Sequence, residues 1–105
     1  MSTDINYIYY VCDQISDAGM ITYKKMFGEY MVYINAKPVL LICDNTVYVK
    51  MLPIIEKEMN DAEIGIPYKG AKPHYILDID NRTFSLKIVK LLEEVTPIPK
   101  PSKKK

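Results

Sequence analysis

The sequence predicts an α+β domain in which an antiparallel five-stranded sheet carries helices packed on it, in the order α-β-β-β-β-α-β-α. Three observations carry that prediction. Apolar residues recur at helical spacing near both ends of the chain, a period of two fills the middle, and turn-forming residues punctuate that middle at short intervals. A chain of 105 residues, 49% of them apolar, suffices for one compact core and is too short for two.

Over residues 4–18, Ile5, Ile8, Cys12 and Ile15 fall on one stripe of an amphipathic helix, flanked by Tyr9 and Val11. Thr3 or Asp4 offers a side-chain oxygen to the free N–H groups at its start, and Gly19 offers a left-handed residue to end it. Beyond Gly19 the period becomes two. Ile21, Tyr23, Lys25 and Phe27 face one way, with Tyr23 and Phe27 expected in the core, while Thr22, Lys24 and Met26 face the other. Gly28 interrupts this strand as a bulge or bend, and residues 29–34 resume as a second.

Asn35-Ala36-Lys37-Pro38 is turn chemistry, and the run Val39-Leu40-Leu41-Ile42-Cys43 is apolar on both faces, which marks a central strand. Asp44 and Asn45 tolerate positive φ and fit a tight hairpin into a fourth strand at 46–50. Pro53 suits the first turn of a short helix over 52–60, because its missing N–H would have no helical partner there. Residues 61–73, with two glycines and two prolines, read as a loop before a fifth strand at 74–79. Asp80 or Asn81 caps a last helix whose stripe is Phe84, Ile88, Leu91, Leu92 and Val95. Both long stripes are buried at least cost against one face of the sheet. The folded domain is expected to span 1–95, followed by a disordered basic tail at 96–105.

Composition narrows the function classes. No apolar run approaches the ~20 residues of a membrane-spanning helix, and the N-terminus begins acidic where a secretory signal would be basic, so a cytoplasmic location without membrane contact is expected. Cys12 and Cys43 are expected as free thiols among apolar neighbours. One histidine and two cysteines without C-x-x-C spacing do not make a structural zinc site, so no bound metal is expected. The formal charge is +1, but four cations lie in the last ten residues; the remainder carries ten cationic against thirteen acidic side chains. A body of charge −3 repels phosphate, so direct DNA binding is expected to be weak unless the tail supplies it.

Candidates for catalysis are few. His74 has no nucleophile or orienting acid at a telling spacing, and a surface histidine accounts for it. The pairs Glu56/Glu58, Asp78/Asp80 and Glu93/Glu94 read as solvated charges; two helical residues two apart do not face each other. No enzyme is expected. Nine tyrosines exceed what so small a core needs, so some are expected at the surface, where they favour protein contacts or self-association.

The segment Lys24-Lys25-Met26-Phe27-Gly28-Glu29-Tyr30-Met31-Val32-Tyr33, followed by Lys37, the Asp44-Asn45 turn, Val47-Tyr48-Val49-Lys50, Tyr68, Gly70-Ala71-Lys72-Pro73 and Tyr75, resembles the N-terminal domain of the TfoX/Sxy competence regulators. The likeness covers about residues 5–95. It implies an antiparallel α+β domain similar to secretion-chaperone-like folds, no catalytic residues and no cofactor. It also implies a role in transcription through protein partners, including a cyclic-AMP receptor protein. Full-length regulators carry a further helical domain with no counterpart in these residues. The nominated protein-contact residues are Lys24, Lys25, Met26, Phe27, Gly28, Glu29 and Tyr30 around the Met-Phe-Gly bend, with Lys72 and Pro73. A packed strand with a bulge accounts better for Lys24 to Gly28, because Phe27 and Tyr23 share a face and read as core, and a conformational role accounts for Gly70 and Pro73.

Overall fold

The computed structural model describes residues 3–26 and 29–98. Its elements are α1 (Ile5–Gln14), β1 (Ile21–Met26), β2 (Glu29–Ile34), β3 (Lys37–Cys43), β4 (Thr46–Lys50), α2 (Pro53–Glu56), β5 (Ile64–Gly65), β6 (His74–Ile76) and α3 (Arg82–Val95). All strand pairs are antiparallel, and the sheet order is β1-β2-β3-β4-β6-β5. The expected class therefore holds, with six strands in place of five. The addition is β5, inside the segment read as a loop. Two residues are too few to show a period, and they pair because Gly65 permits close approach. A Cβ there would lie 3.2 Å from the Ile76 side chain and 3.3 Å from the Tyr48 ring.

Local signals set the element ends. Asp4 caps α1 by accepting from the Asn6 N–H at 3.1 Å, and Asn81 caps α3 by accepting from Phe84 N–H at 3.1 Å. The first helix is shorter than its stripe. It stops at Gln14, Ile15 leaves helical geometry, and Ser16–Ala18 forms a 3₁₀ turn, as poorly helical Ser16 and Asp17 favour. Gly19 has φ 149° and ψ −156°, an extended glycine conformation in place of the expected left-handed helical one. Asn35–Ala36 and Asp44–Asn45 both have positive φ at two successive residues, the geometry of type I′ hairpins. The helix expected over 52–60 is helical only at Pro53–Glu56, with turns beyond it that still bury Met59.

One sheet face forms the core. Tyr30, Val32, Ile34, Leu40, Ile42, Val47 and Val49 point into it and meet Ile8, Val11 and Ile15 from the first helical segment. From α3 come Ile88, Val89 and Leu92, with Ser85 fully buried beside them. This shifts the expected stripe: Val95 is exposed and Val89 takes the inward place. The burial of Ser85 is tolerated because its hydroxyl donates to the Asp78 carbonyl at 3.0 Å. The C-terminal stretch expected to be disordered begins with Thr96, which caps α3, its hydroxyl donating to Leu92 O at 2.6 Å. Residues 99–105 of that stretch lie outside the described residues.

Polar ties fasten the helices to the sheet. Lys37 Nζ donates to the backbone carbonyl of Glu93 at 3.0 Å and lies 3.1 Å from its carboxylate. The hydrogen bond from Lys37 holds the Glu93 carboxyl below its ordinary range, against the opposing effect of burial and with help from Asn35. A depressed folded-state value stabilises the native state at pH above the unfolded value of about 4.3, and that contribution is lost as pH falls through the folded value. The urea midpoint of Glu93→Gln should therefore lie below wild type at pH 7 and converge on it toward pH 3. Curves that stay parallel across that range would show that this pair contributes nothing.

Candidate functional site

The nominated contact residues separate into two places. Lys24 and Lys25 lie on β1, the sheet edge, where Thr22, Tyr23, Lys24 and Lys25 are all exposed. Successive residues alternate between faces, so Lys25 shares the helix side with Tyr23, and Lys24 shares the outer side with Thr22. Met26 pairs with Glu29 across the bend. Phe27 and Gly28 lie outside the described residues. Glu29 is half-buried and Tyr30 is only 6% exposed, so Tyr30 packs as core. Lys72 and Pro73 are exposed in the segment entering β6, which is separated from β1 by three strands.

Tyr23, expected in the core, is 42% exposed, because β1 falls at the edge of the sheet. Its ring packs edge-on to Tyr9 of α1 at 6.2 Å between centroids and against Tyr30 at 6.0 Å. Tyr9 is itself 54% exposed. A short aromatic row thus runs from the buried Tyr30 outward beside the basic edge. Among the described residues neither Lys24 nor Lys25 has an ion-pair partner.

Among the described residues, the titratable groups with shifted values lie in contacts between elements. Burial pushes both cysteine thiols up, Cys43 to about 12 with further contributions from Glu29 and Asp44, so thiolate is scarce at neutral pH. The hydroxyl of Tyr10 donates to Asp80, which raises that phenol to about 12. Glu58 lies 3.8 Å from Lys87. These are ties between elements.

A cavity of about 300 Å³ opens between β3 and β4. Pro38 stands opposite Tyr33 at a non-hydrogen-bonded position, so its missing N–H faces away from β2. The β2–β3 register shifts beside it: Val32 pairs with Leu40 but Tyr33 pairs with Pro38, leaving Val39 as the extra residue of a bulge. The β3–β4 ladder ends at Leu41–Tyr48, after which β3 follows β2 and β4 follows β6. The cavity lies where the strands part. Leu40, Val39 and Leu92, all buried, lie at its depth, while Lys50, Tyr68 and Lys72, all exposed, stand at its mouth. His74 also lines it, paired across the ladder with Lys50, and its Nδ1 donates to the Lys72 carbonyl at 2.7 Å.

No family model matches the chain. It is 32% identical over 107 residues to a protein of Spirochaeta aurantia described as an uncharacterized 12.7 kDa protein in the trpE 5′ region, an alignment covering all of this chain and 93% of the relative. The chain belongs to that protein's family. The full-length match means that edge strand, bulge and cavity all lie within the shared region.

The sequence nominated Lys72 but not the site it lines. The missing signal is tertiary: Lys50 and His74 become neighbours only through the β4–β6 register, and the cavity lies where β3 and β4 part, beside a Pro38 that falls inside a strand. Pro38, read as turn chemistry, was the one local hint that β3 would bulge.

Proposed function

We propose that the chain is a non-enzymatic protein-interaction module of the TfoX/Sxy type, which binds an extended acidic segment of a transcription-machinery partner along β1. The observation that carries this reading is the edge itself. Among the described residues β1 pairs on one side only, four successive residues are exposed, and the aromatic pair Tyr9 and Tyr23 lies beside it. An added strand would gain main-chain hydrogen bonds from the edge, with its alternate side chains meeting Lys25 and Tyr23 on one face and Lys24 on the other. Opposite charge favours an acidic partner. A second copy would bring lysines against lysines, an arrangement that discourages edge-to-edge pairing. The antiparallel α+β fold agrees with what the resemblance implies.

The test is capture from native cells by intact bait and by a Lys24→Glu/Lys25→Glu bait of equal thermal stability, followed by titration of the purified partner. A transcription protein held by the intact chain, weakened at least tenfold by the double substitution and sensitive to salt, is the expected result. Equal binding by both baits would remove the edge from the interface and overturn the proposal.

A further inference from the structure

We propose that the cavity between β3 and β4 is a binding site for a small amphipathic carboxylate, its apolar body between the parted strands and its anionic head at Lys50 and Lys72. The inference is independent of the β1 edge. At about 300 Å³ the cavity falls at the lower end of the range for ligand pockets. Each liquid water occupies about 30 Å³, so the space equals about ten waters, the scale of a medium-length alkyl chain or a single substituted aromatic ring.

The chemistry of the lining selects the ligand. The walls include Met31, Leu41, Leu52 and Leu92, which offer little to hold water, so an apolar body gains by displacing it. The mouth is cationic. Lys50 and Lys72 are exposed and, among the described residues, neither has an ion-pair partner. Among the described residues no Asp or Glu lines the cavity, although the acidic side chains outside the tail outnumber the cationic ones. Two unneutralised ammonium groups at the entrance of an apolar recess favour a ligand with one anionic end. A cation would meet only repulsion there.

The bulge at Val39 makes the recess part of the backbone design. A side chain withdrawn from a continuous sheet leaves a small dimple, whereas two strands that follow different partners leave a gap that no rotamer change closes. His74 is held at this entrance through its Nδ1 bond to Lys72 O, so the Lys72 backbone and the ring move together. Lys72 is thereby positioned by the strand and not left on a free loop.

Tyrosine fluorescence offers a direct readout, because the chain has no tryptophan and both Tyr48 and Tyr68 line the cavity. Octanoate, 1-octanol and octylammonium are titrated below their aggregation limits into the full chain, with chemical shifts of backbone amides recorded in parallel. Octanoate should bind saturably and shift residues around Leu41, Lys50 and His74. Octanol should bind about tenfold more weakly, the loss of one charge-assisted contact, and octylammonium should not bind. Lys50→Glu/Lys72→Glu alters only exposed side chains and should reverse the preference between octanoate and octylammonium. Leu41→Trp, confirmed folded by its amide spectrum, should fill the recess and abolish binding of octanoate and octanol. Equal affinity for octanoate and octanol, octanoate binding unchanged in the charge-reversed variant, or shifts located elsewhere would each overturn the proposal.

Discussion

Replacing Ile42 by alanine should destabilise the domain by about 3–5 kcal/mol, at the upper end of the usual range for truncating a buried aliphatic side chain. Ile42 is fully buried on the helix face of β3. It pairs with Tyr30 on one side and Val47 on the other, so its backbone is fixed between two ladders. Poor relaxation leaves the truncated volume empty, and the lost contacts add to the lost transfer free energy. A domain of this size has roughly 5–15 kcal/mol in total, so the urea midpoint should fall by about a fifth or more. Leu41→Ala, one residue away on the outer face, removes similar atoms from a half-buried position beside an existing cavity. It should cost less than half as much. Equal losses at the two positions would mean that the outer face contributes as much as the core, against the assignment of one core face.

What was legible in the sequence was local. Asp4 and Asn81 cap helices because each needs only its own backbone and the next three residues, and the two I′ turns need only residues that tolerate positive φ. The central place of β3 was equally readable from its five successive apolar residues, although Leu41 on the outer face is only half-buried. What depended on distant partners was not legible. Alternation put Tyr23 on the core-facing side, but whether anything covers that side depends on where β1 falls in the sheet, and it falls at the edge. β5 exists only because β6 is beside it, and Val89 replaces Val95 in the core because α3 is oriented by contacts such as Lys37 with Glu93.

The candidate sites divide along the same line. The basic pair Lys24 and Lys25 could be named from composition, because an exposed charge keeps its meaning wherever the strand lies. The cavity could not, because it is a property of register. The β2–β3 register shifts beside Pro38, Val39 bulges there, and β3 parts from β4 beyond Leu41–Tyr48. Lys50, Lys72 and His74 acquire a common role only after those three steps.

Gly19→Ala should cost about 2–4 kcal/mol, the largest effect expected from adding a single methyl group to this chain. Two independent penalties act there. With φ 149° and ψ −156°, Gly19 occupies a region reached almost only by glycine, and holding an alanine in it costs about 1–3 kcal/mol. The new Cβ would also lie 2.8 Å from both polar atoms of the Asn35 side chain, closer than contact permits. Asn35 cannot yield without loss. Its Oδ1 accepts from Met20 N–H at 3.0 Å, its own N–H donates to Met20 O at 2.8 Å, and its Nδ2 reaches Glu93 at 3.5 Å. It is also at φ 52°, so it holds the β2–β3 turn and the entry to β1 at once. Thermal unfolding should show a fall of roughly 8–20 °C for Gly19→Ala. Adding Asn35→Gly to that variant relieves the clash but not the backbone strain, and should recover only part of the loss after the missing hydrogen bonds are counted. A Gly19→Ala protein that melts within 2 °C of wild type would show that the segment between α1 and β1 can adopt another path without disturbing the sheet.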